Sequence, residues 1–153
     1  MRIAVSSDMD EPVARVLVYE LRQRGHEVSV FGALRSGDRD GAGRADWAWS
    51  AEAAAREVAE GRAEQAVVCC WTGTGASIVA NKVPGVRAAL CTDAYTADGA
   101  RKWSDANVLA LGLRLTSEPQ LKEILDAWFA GAASGEDEDR ANVAHVTELD
   151  GAA

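Results

Sequence analysis

The residues best suited to chemistry lie in one short stretch, VVCCWTGTGASIVANK, which covers residues 67–82. Cys70 ends an apolar run, and Gly73 and Gly75 follow in a turn whose backbone N–H groups could hold a phosphate or an oxyanion. Three hydroxyl side chains share that turn, on Thr72, Thr74 and Ser77. A thiol beside a helix N-terminus has a lowered pKa and can act as a base, whereas most free cysteines are simply buried. The stretch alone therefore leaves two interpretations of Cys70, a catalytic base or a buried thiol.

Strand-like and helix-like patterns alternate on both sides of this stretch. Apolar runs over 2–7, 28–32, 66–70, 87–91 and 107–112 predict strands, and segments with a helical period separate them. Such alternation is typical of an α/β fold in which helices cover both faces of a parallel sheet. Ligands of these folds bind where the strands end, so the turns that follow the strands are the predicted site.

Local patterns also predict where individual elements begin and end. Ser50 is expected to cap the N-terminus of the second helix, after a loop rich in Gly, Arg and Asp between residues 32 and 46. The last helix is expected over residues 117–131. The acidic run that follows it, at 135–139, is expected to be a solvated face or tail.

Composition restricts the classes of partner. A net charge of −8 and a pI near 4.7 disfavour binding to nucleic acid or to an anionic membrane, because both would repel the chain. The N-terminus shows no signal-peptide pattern, and no apolar run is long enough to span a bilayer. Three cysteines within apolar runs suit a reducing compartment. We therefore expect one cytoplasmic domain of 153 residues, without nucleic acid or membrane as partner.

Ordered motifs along most of the chain resemble those of the ribose-5-phosphate isomerase type B family, which also includes the galactose-6-phosphate isomerase subunits. The motifs are RIAVSSD near the N-terminus, CWTGTGASIVANKVPGVRAALC in the middle and DAYTADGARKWSDANVLALGLRL after it. They extend over residues 1–130 in the order of the family, and so long an ordered set of motifs is specific.

The resemblance implies an aldose-ketose isomerase with a Rossmann-like α/β/α sandwich around a five-stranded parallel sheet. It implies no metal or organic cofactor, and a homodimer or homotetramer with sites at subunit interfaces. Cys70 would be the base that removes the proton next to the carbonyl, and the amides of residues 71–75 would stabilise the enediolate oxygen. Asp8 matches the sugar-binding aspartate of the family and Thr72 the threonine beside the base. An isomerase domain would cover residues 1–133, and the acidic tail at 134–153 could pack on a partner subunit.

Several family positions carry different residues in this chain. The family has a phosphate-binding histidine after the first-strand aspartate, and here that residue is Met9. Trp103 replaces the ring-opening histidine, and Ser104 replaces the sugar-binding asparagine beside it. Trp71 replaces the glycine after the base. In place of the arginine-rich segment that the family has near its C-terminus, this chain has GEDEDRANVAHV, in which Arg140 is the basic residue left near the site.

These departures predict a substrate other than ribose 5-phosphate. Each lost charge-assisted hydrogen bond to a phosphate removes about 1.5–3 kcal/mol, and an indole cannot transfer the proton that opens a sugar ring. Two substrate classes remain. One is an open-chain four-carbon sugar phosphate, and the other is an unphosphorylated sugar that stacks on Trp71 and Trp103, joined by Trp47 or Trp49. The alternative function is a non-catalytic sugar- or metabolite-binding paralogue, or a partner subunit.

The predicted site follows from these matches and departures. Cys70 and Thr72 are the predicted catalytic residues, and no metal ligand is expected. The residues expected to bind substrate are Asp8, Met9, Trp71, Gly73, Thr74, Gly75, Ser77, Trp103, Ser104 and Asn107. Asn107 matches the family motif before the fifth strand, and it is also expected to fix the loop that enters this strand. His26 is expected at the surface, and His145 lies where the tail could reach a neighbouring site.

Overall fold

The computed structural model describes residues 1–35 and 44–151. Strands and helices alternate through these residues, as the sequence predicts. In chain order the elements are β1 (Arg2–Ser7), α1 (Pro12–Gln23), β2 (Glu27–Gly32), α2 (Trp47–Ala59), β3 (Gln65–Cys70), α3 (Thr74–Ala80), β4 (Ala88–Leu90), α4 (Ala94–Ser104), β5 (Val108–Gly112), α5 (Glu118–Ala130) and α6 (Asp137–Asp150). Within these two ranges, every helix is too short or too polar to cross a bilayer.

The five strands form one parallel sheet in the order β2-β1-β3-β5-β4, which confirms the predicted fold class. Ser7 pairs with Cys69 across β1 and β3, and Cys70 pairs with Gly112 across β3 and β5. The chain runs outward from β1 to β2 on one side, whereas β3 and the later strands lie on the other. The order therefore reverses between β1 and β3, where parallel sheets open a crevice at their carboxyl ends.

Each face of the sheet packs against its own helical layer. The face of Val67 and Cys69 meets large side chains of α1 and α5, such as Leu17 and Ile124. The opposite face, which carries Cys70, meets α2 and α3 through small side chains, among them Ala51, Ala54, Ala55, Ala76 and Ala80. Adjacent residues of a strand point to opposite faces, so Cys69 and Cys70 lie in different layers. The small side chains let α2 and α3 lie close to the sheet beside Cys70.

Two predicted boundaries are wrong. The second helix begins at Trp47, with Asp46 at its N-cap, and Ser50 is buried inside it. Trp47 packs against the turn after β3, and this long-range contact favours an earlier start than the local alanine pattern indicates. The helix at 117–131 is not the last one, because α6 follows in the acidic segment. Asp137, Glu138 and Asp139 form its first turn, where negative charge stabilises a helix.

Candidate active site

A cavity of about 300 Å³ opens at the carboxyl ends of β1 and β3. Its walls are formed by Asp8, Trp47, Cys70, Trp71, Thr72, Thr74 and Gly75. Six of these residues belong to the predicted site, and Trp47 is the seventh. A larger cavity, of about 780 Å³, lies between α1 and β2 and is lined by none of the predicted site residues. The chemistry predicted from the sequence therefore converges on the smaller cavity, at the crevice between β1 and β3.

The turn after Cys70 is held against the end of β5. The amide of Leu113 donates to the Cys70 carbonyl, and the amide of Arg114 donates to the Trp71 carbonyl, both at 2.9 Å. Gly73 has a φ of 78°, and a Cβ added there would lie 2.8 Å from the backbone nitrogen of Gly112. A Cβ added to Gly112 would in turn lie 2.8 Å from the Thr72 carbonyl oxygen. The two glycines therefore allow the backbone contact that places the turn, whereas a role for Gly73 in substrate binding stays a prediction.

Polar groups reach the cavity from both strands. The hydroxyls of Thr72 and Thr74 lie 2.8 Å apart and share a hydrogen bond. From the end of β1, Asp8 contributes a carboxylate whose Oδ1 is buried and has no hydrogen-bond partner among the described residues. Burial raises the pKa of Asp8, its own backbone opposes that shift, and the Asp46 carboxylate adds to it. A buried acceptor without a partner costs about 1–3 kcal/mol of folding free energy, so Asp8 is suited to accept a hydrogen bond from a hydroxyl of a bound sugar.

Of the three free thiols, Cys70 is the one that lines the cavity. Burial raises the pKa of Cys69 far above its usual range, and the neighbouring Cys70 and Asp8 add to the effect. Burial, helped by Asp93, raises the pKa of Cys91 to about 12. Cys69 and Cys91 therefore stay protonated in neutral solution, and neither lines the cavity.

Trp47 enters the cavity from the first turn of α2. A Cβ added to Gly75 would lie 2.9 Å from Cε3 of Trp47 and 3.1 Å from its Cδ2, so the indole packs directly on Gly75. Trp49 instead lies under the guanidinium of Arg44, 3.8 Å from the ring centroid, and does not line the cavity. The sequence left Trp47 and Trp49 as alternatives, and the structure selects Trp47.

Trp103 and Ser104 lie elsewhere in the same chain. Near the end of α4 they line a groove of about 210 Å³ together with Val143 and Val146 of α6. The indole of Trp103 packs on Gly99 and meets the ring of Tyr95 edge-on, with 6.1 Å between centroids. Trp71 and Trp103 therefore form no common aromatic wall within one chain. A shared role for them would need a second copy of the protein.

Met9 and Ser77 contribute no lining to the Cys70 cavity. Met9 is held through its backbone by the Ser7 hydroxyl. That hydroxyl donates to the Met9 carbonyl at 2.7 Å, and its oxygen accepts from the Met9 amide at 3.3 Å. Ser77 lies within α3, where its carbonyl accepts hydrogen bonds from the backbone and side chain of Asn81. The roles predicted for Met9 and Ser77 in substrate binding stay predictions.

Asn107 bridges two backbone segments with its side chain. Its Oδ1 accepts from the amide of Arg87 at 2.8 Å, and its Nδ2 donates to the carbonyl of Gly85 at 2.9 Å. Both ends of the amide are thus used to hold the loop before β4 against the start of β5. This geometry supports the loop-fixing role for Asn107 rather than a contact with substrate.

We expect Asn107→Ala to lower the free energy of unfolding by about 1–3 kcal/mol, because two backbone groups lose their partner. Urea denaturation should show this loss, while kcat per folded molecule stays near that of the unmodified protein. Asn142→Ala is the matched control, since Asn142 makes one exposed bond to the Glu138 carbonyl of its own helix. Equal stability of the two variants would contradict the structural role of Asn107.

Neither of the two histidines of the chain lies at the Cys70 cavity. The His26 ring packs on Phe129 with 4.6 Å between centroids, and burial lowers its pKa. His145 lies on α6, where its Nδ1 is 3.2 Å from a carboxylate oxygen of Glu148. No imidazole of the same chain can therefore serve as an acid or base beside Cys70.

Arg114 is a candidate that sequence reasoning missed. It lies two residues after the end of β5, it is exposed, and its amide donates to the Trp71 carbonyl. Its guanidinium forms no ion pair with any residue in 1–35 or 44–151, and it does not line the Cys70 cavity. Its position just after the fifth predicted strand, at the end of the sheet where ligands of such folds bind, could have identified it from the sequence.

Similar proteins include enzymes for five-carbon and for four-carbon sugars. Ribose-5-phosphate isomerase B of Escherichia coli strain K12 is 37% identical over 119 residues, which are 78% of this chain and 76% of that protein. D-erythrulose-4-phosphate isomerase of Pectobacterium atrosepticum is 43% identical over 81 residues, so the match spans 53% of each protein. 4-deoxy-4-sulfo-D-erythrose isomerase of Clostridium sp. strain MSTE9 is 44% identical over 63 residues, 41% of this chain and 40% of that protein.

The fold has a near full-length counterpart among solved structures. Ribose-5-phosphate isomerase B of Clostridium thermocellum superposes with a TM-score of 0.88 at 34% identity, and the match covers 99% of both chains. The sequence pattern of the family described as Ribose/Galactose Isomerase matches residues 3–146. These matches confirm the predicted enzyme class, that of a sugar or sugar-phosphate isomerase. The chain belongs to the ribose/galactose isomerase family.

Proposed function

We propose that this protein interconverts the aldose and ketose forms of an open-chain four-carbon sugar that carries a phosphate on its terminal carbon. In such a sugar the hydroxyl that would close a five-membered ring is esterified, so no ring has to be opened. The observation that carries the proposal is the absence of both histidines from the Cys70 cavity. With Trp103 in the ring-opening position of the family, a substrate that is already open suits the site.

Cys70 is the base of the proposed reaction. Its thiolate takes a proton from the carbon next to the carbonyl, and the electron pair left behind forms the enediolate. The Cys70 thiol so formed exchanges its proton with solvent and returns a proton to the neighbouring carbon, while another proton moves between the two substrate oxygens. No electron acceptor is needed, because one carbon is oxidised as its neighbour is reduced.

The polar groups around Cys70 fit this sequence of steps. The buried Oδ1 of Asp8 accepts a hydrogen bond from a substrate hydroxyl and so orients the carbon chain. The hydroxyls of Thr72 and Thr74 lie in the turn beside the base and can donate to an oxygen on which negative charge develops. Fixed donors of this kind act on the transition state because the backbone contact at Gly73 holds the turn in place.

Two relatives support the four-carbon assignment. One is named for erythrulose 4-phosphate and the other for a four-carbon sugar with a sulfo group on C4. Both substrates carry an anionic group on C4, the carbon whose hydroxyl would otherwise close a five-membered ring in the aldose form. The backbone of Arg114 is bonded to the turn, and its exposed side chain is a candidate cation for such a group, although it does not line the Cys70 cavity.

The test is a comparison of kcat/KM for D-erythrulose 4-phosphate and for ribose 5-phosphate. We expect the four-carbon substrate to be preferred by about 100-fold or more, because ring opening of the pentose phosphate would lack the acid-base group that contributes 100- to 10,000-fold to a proton transfer. Equal or faster conversion of ribose 5-phosphate would contradict the proposal. If the protein bound a four-carbon sugar phosphate in a thermal-shift assay but converted none, the non-catalytic paralogue would be favoured instead.

A further inference from the structure

The Cys70 cavity is bounded by two indoles, those of Trp47 and Trp71. The side chains come from different elements, since Trp71 belongs to the turn after β3 and Trp47 begins α2. Each side chain is about half exposed, at 45% of its surface, and the ring of Trp47 packs on Gly75. An indole in this position both limits the volume of the cavity and presents an apolar surface to a ligand.

The contacts of Trp47 and of its helix place the indole at the cavity. Its six-membered ring lies on Gly75, where an added Cβ would come within 2.9–3.1 Å of three ring carbons. Asp46, the residue before it, pairs with Arg44 at 2.8 Å, and the same guanidinium covers Trp49. The rest of α2 is fixed by alanines that pack on the sheet. The ring therefore stands in the wall of the cavity with its position set by Gly75 and by the first turn of α2.

We infer that Trp47 is a specificity-determining residue that limits the length of the sugar phosphate. The inference rests on the proposed function, and it adds the physical reason why a four-carbon chain is preferred over a five-carbon one. With the carbons next to the carbonyl placed at Cys70, the indole on Gly75 occupies space that a longer chain needs. Because the wall is an aromatic ring on a glycine, removal of the ring opens the cavity without altering Cys70 or Asp8.

The test compares two ketoses that differ in length and share an open chain, D-erythrulose 4-phosphate and D-ribulose 5-phosphate. In both, the terminal hydroxyl is esterified, so the comparison reports chain length and not ring opening. We expect Trp47→Ala to raise the ratio of kcat/KM for the five-carbon over the four-carbon ketose by about 10-fold or more. Trp49→Ala is the matched control, because Trp49 is in the same helix and 48% exposed but outside the cavity, and the ratio should stay unchanged.

A second variant covers the case in which Trp47→Ala does not fold. Trp47→Phe keeps an aromatic ring on Gly75 but is smaller, so the ratio should rise by a smaller factor in the same direction. An unchanged ratio in an active, folded Trp47 variant, or an equal rise in Trp49→Ala, overturns the inference and leaves the proposed function standing. Failure of the unmodified protein to convert either ketose overturns the proposed function itself.

Discussion

Replacement of Cys70 by alanine should lower kcat/KM for the four-carbon substrate by about 1000-fold, because a general base contributes 100- to 10,000-fold to a proton transfer. The thiol lines the cavity, and neither Cys69 nor Cys91 can take its place. Steady-state kinetics on the purified variant measure the loss. Because Cys70 packs against α2 and α3, the fold of the variant should be checked by circular dichroism.

Cys69→Ala is the matched control for this variant. Cys69 precedes Cys70 on the same strand but is buried among the side chains of the α1/α5 layer. The substitution should lower the free energy of unfolding by about 1 kcal/mol through lost packing, and it should leave kcat/KM per folded molecule near its original value. The account would be wrong if the two variants lost activity equally, or if Cys70→Ala kept more than about a tenth of it.

Gly73→Ala should be among the most destabilising single substitutions near the site. Alanine at a φ of 78° adopts the left-handed conformation, which costs about 1–2 kcal/mol. Its Cβ would also lie 2.8 Å from backbone atoms of both Leu111 and Gly112, and these cannot move unless β5 shifts. We expect a total loss of about 2–4 kcal/mol in urea denaturation, with lower activity because the turn beside Cys70 is displaced.

Gly61→Ala separates the two causes of that loss. Gly61 has a φ of 72°, close to that of Gly73, but nothing lies within 4 Å of an added Cβ. This variant should show only the conformational cost of about 1–2 kcal/mol and should keep its activity. Similar losses of stability and activity in both variants would mean that the contact between the turn and β5 has no energetic importance.

The fold could be predicted from the sequence because each strand and helix has a clear apolar period. The apolar run ending in Cys69 and Cys70, for example, indicates a strand buried on both faces, and β3 lies in the centre of the sheet. The acidic segment was harder to interpret. Charge at 137–139 is compatible with a solvated tail and with the first turn of a helix, and only the structure distinguishes them.

The site could be predicted only in part, because its contacts join residues far apart in sequence. The motif around Cys70 predicts the base and its turn, and the position of Asp8 just after the first predicted strand indicates that it lies at the same edge of the sheet. Nothing local indicates that Trp47 packs on Gly75, 28 positions later in the chain. The motif also groups Trp103 with Trp71, although α4 carries Trp103 to a different groove of the same chain.

In the proposed reaction, Cys70 removes the proton next to the carbonyl of a four-carbon sugar phosphate. Nuclear magnetic resonance of D-erythrulose 4-phosphate in deuterated water, with the unmodified protein and Cys70→Ala side by side, follows this step at C1. The account predicts that the unmodified protein replaces one hydrogen on C1 by deuterium and that the variant does not exceed the uncatalysed background. Absence of exchange with the unmodified protein, or equal exchange with both proteins, would contradict the account.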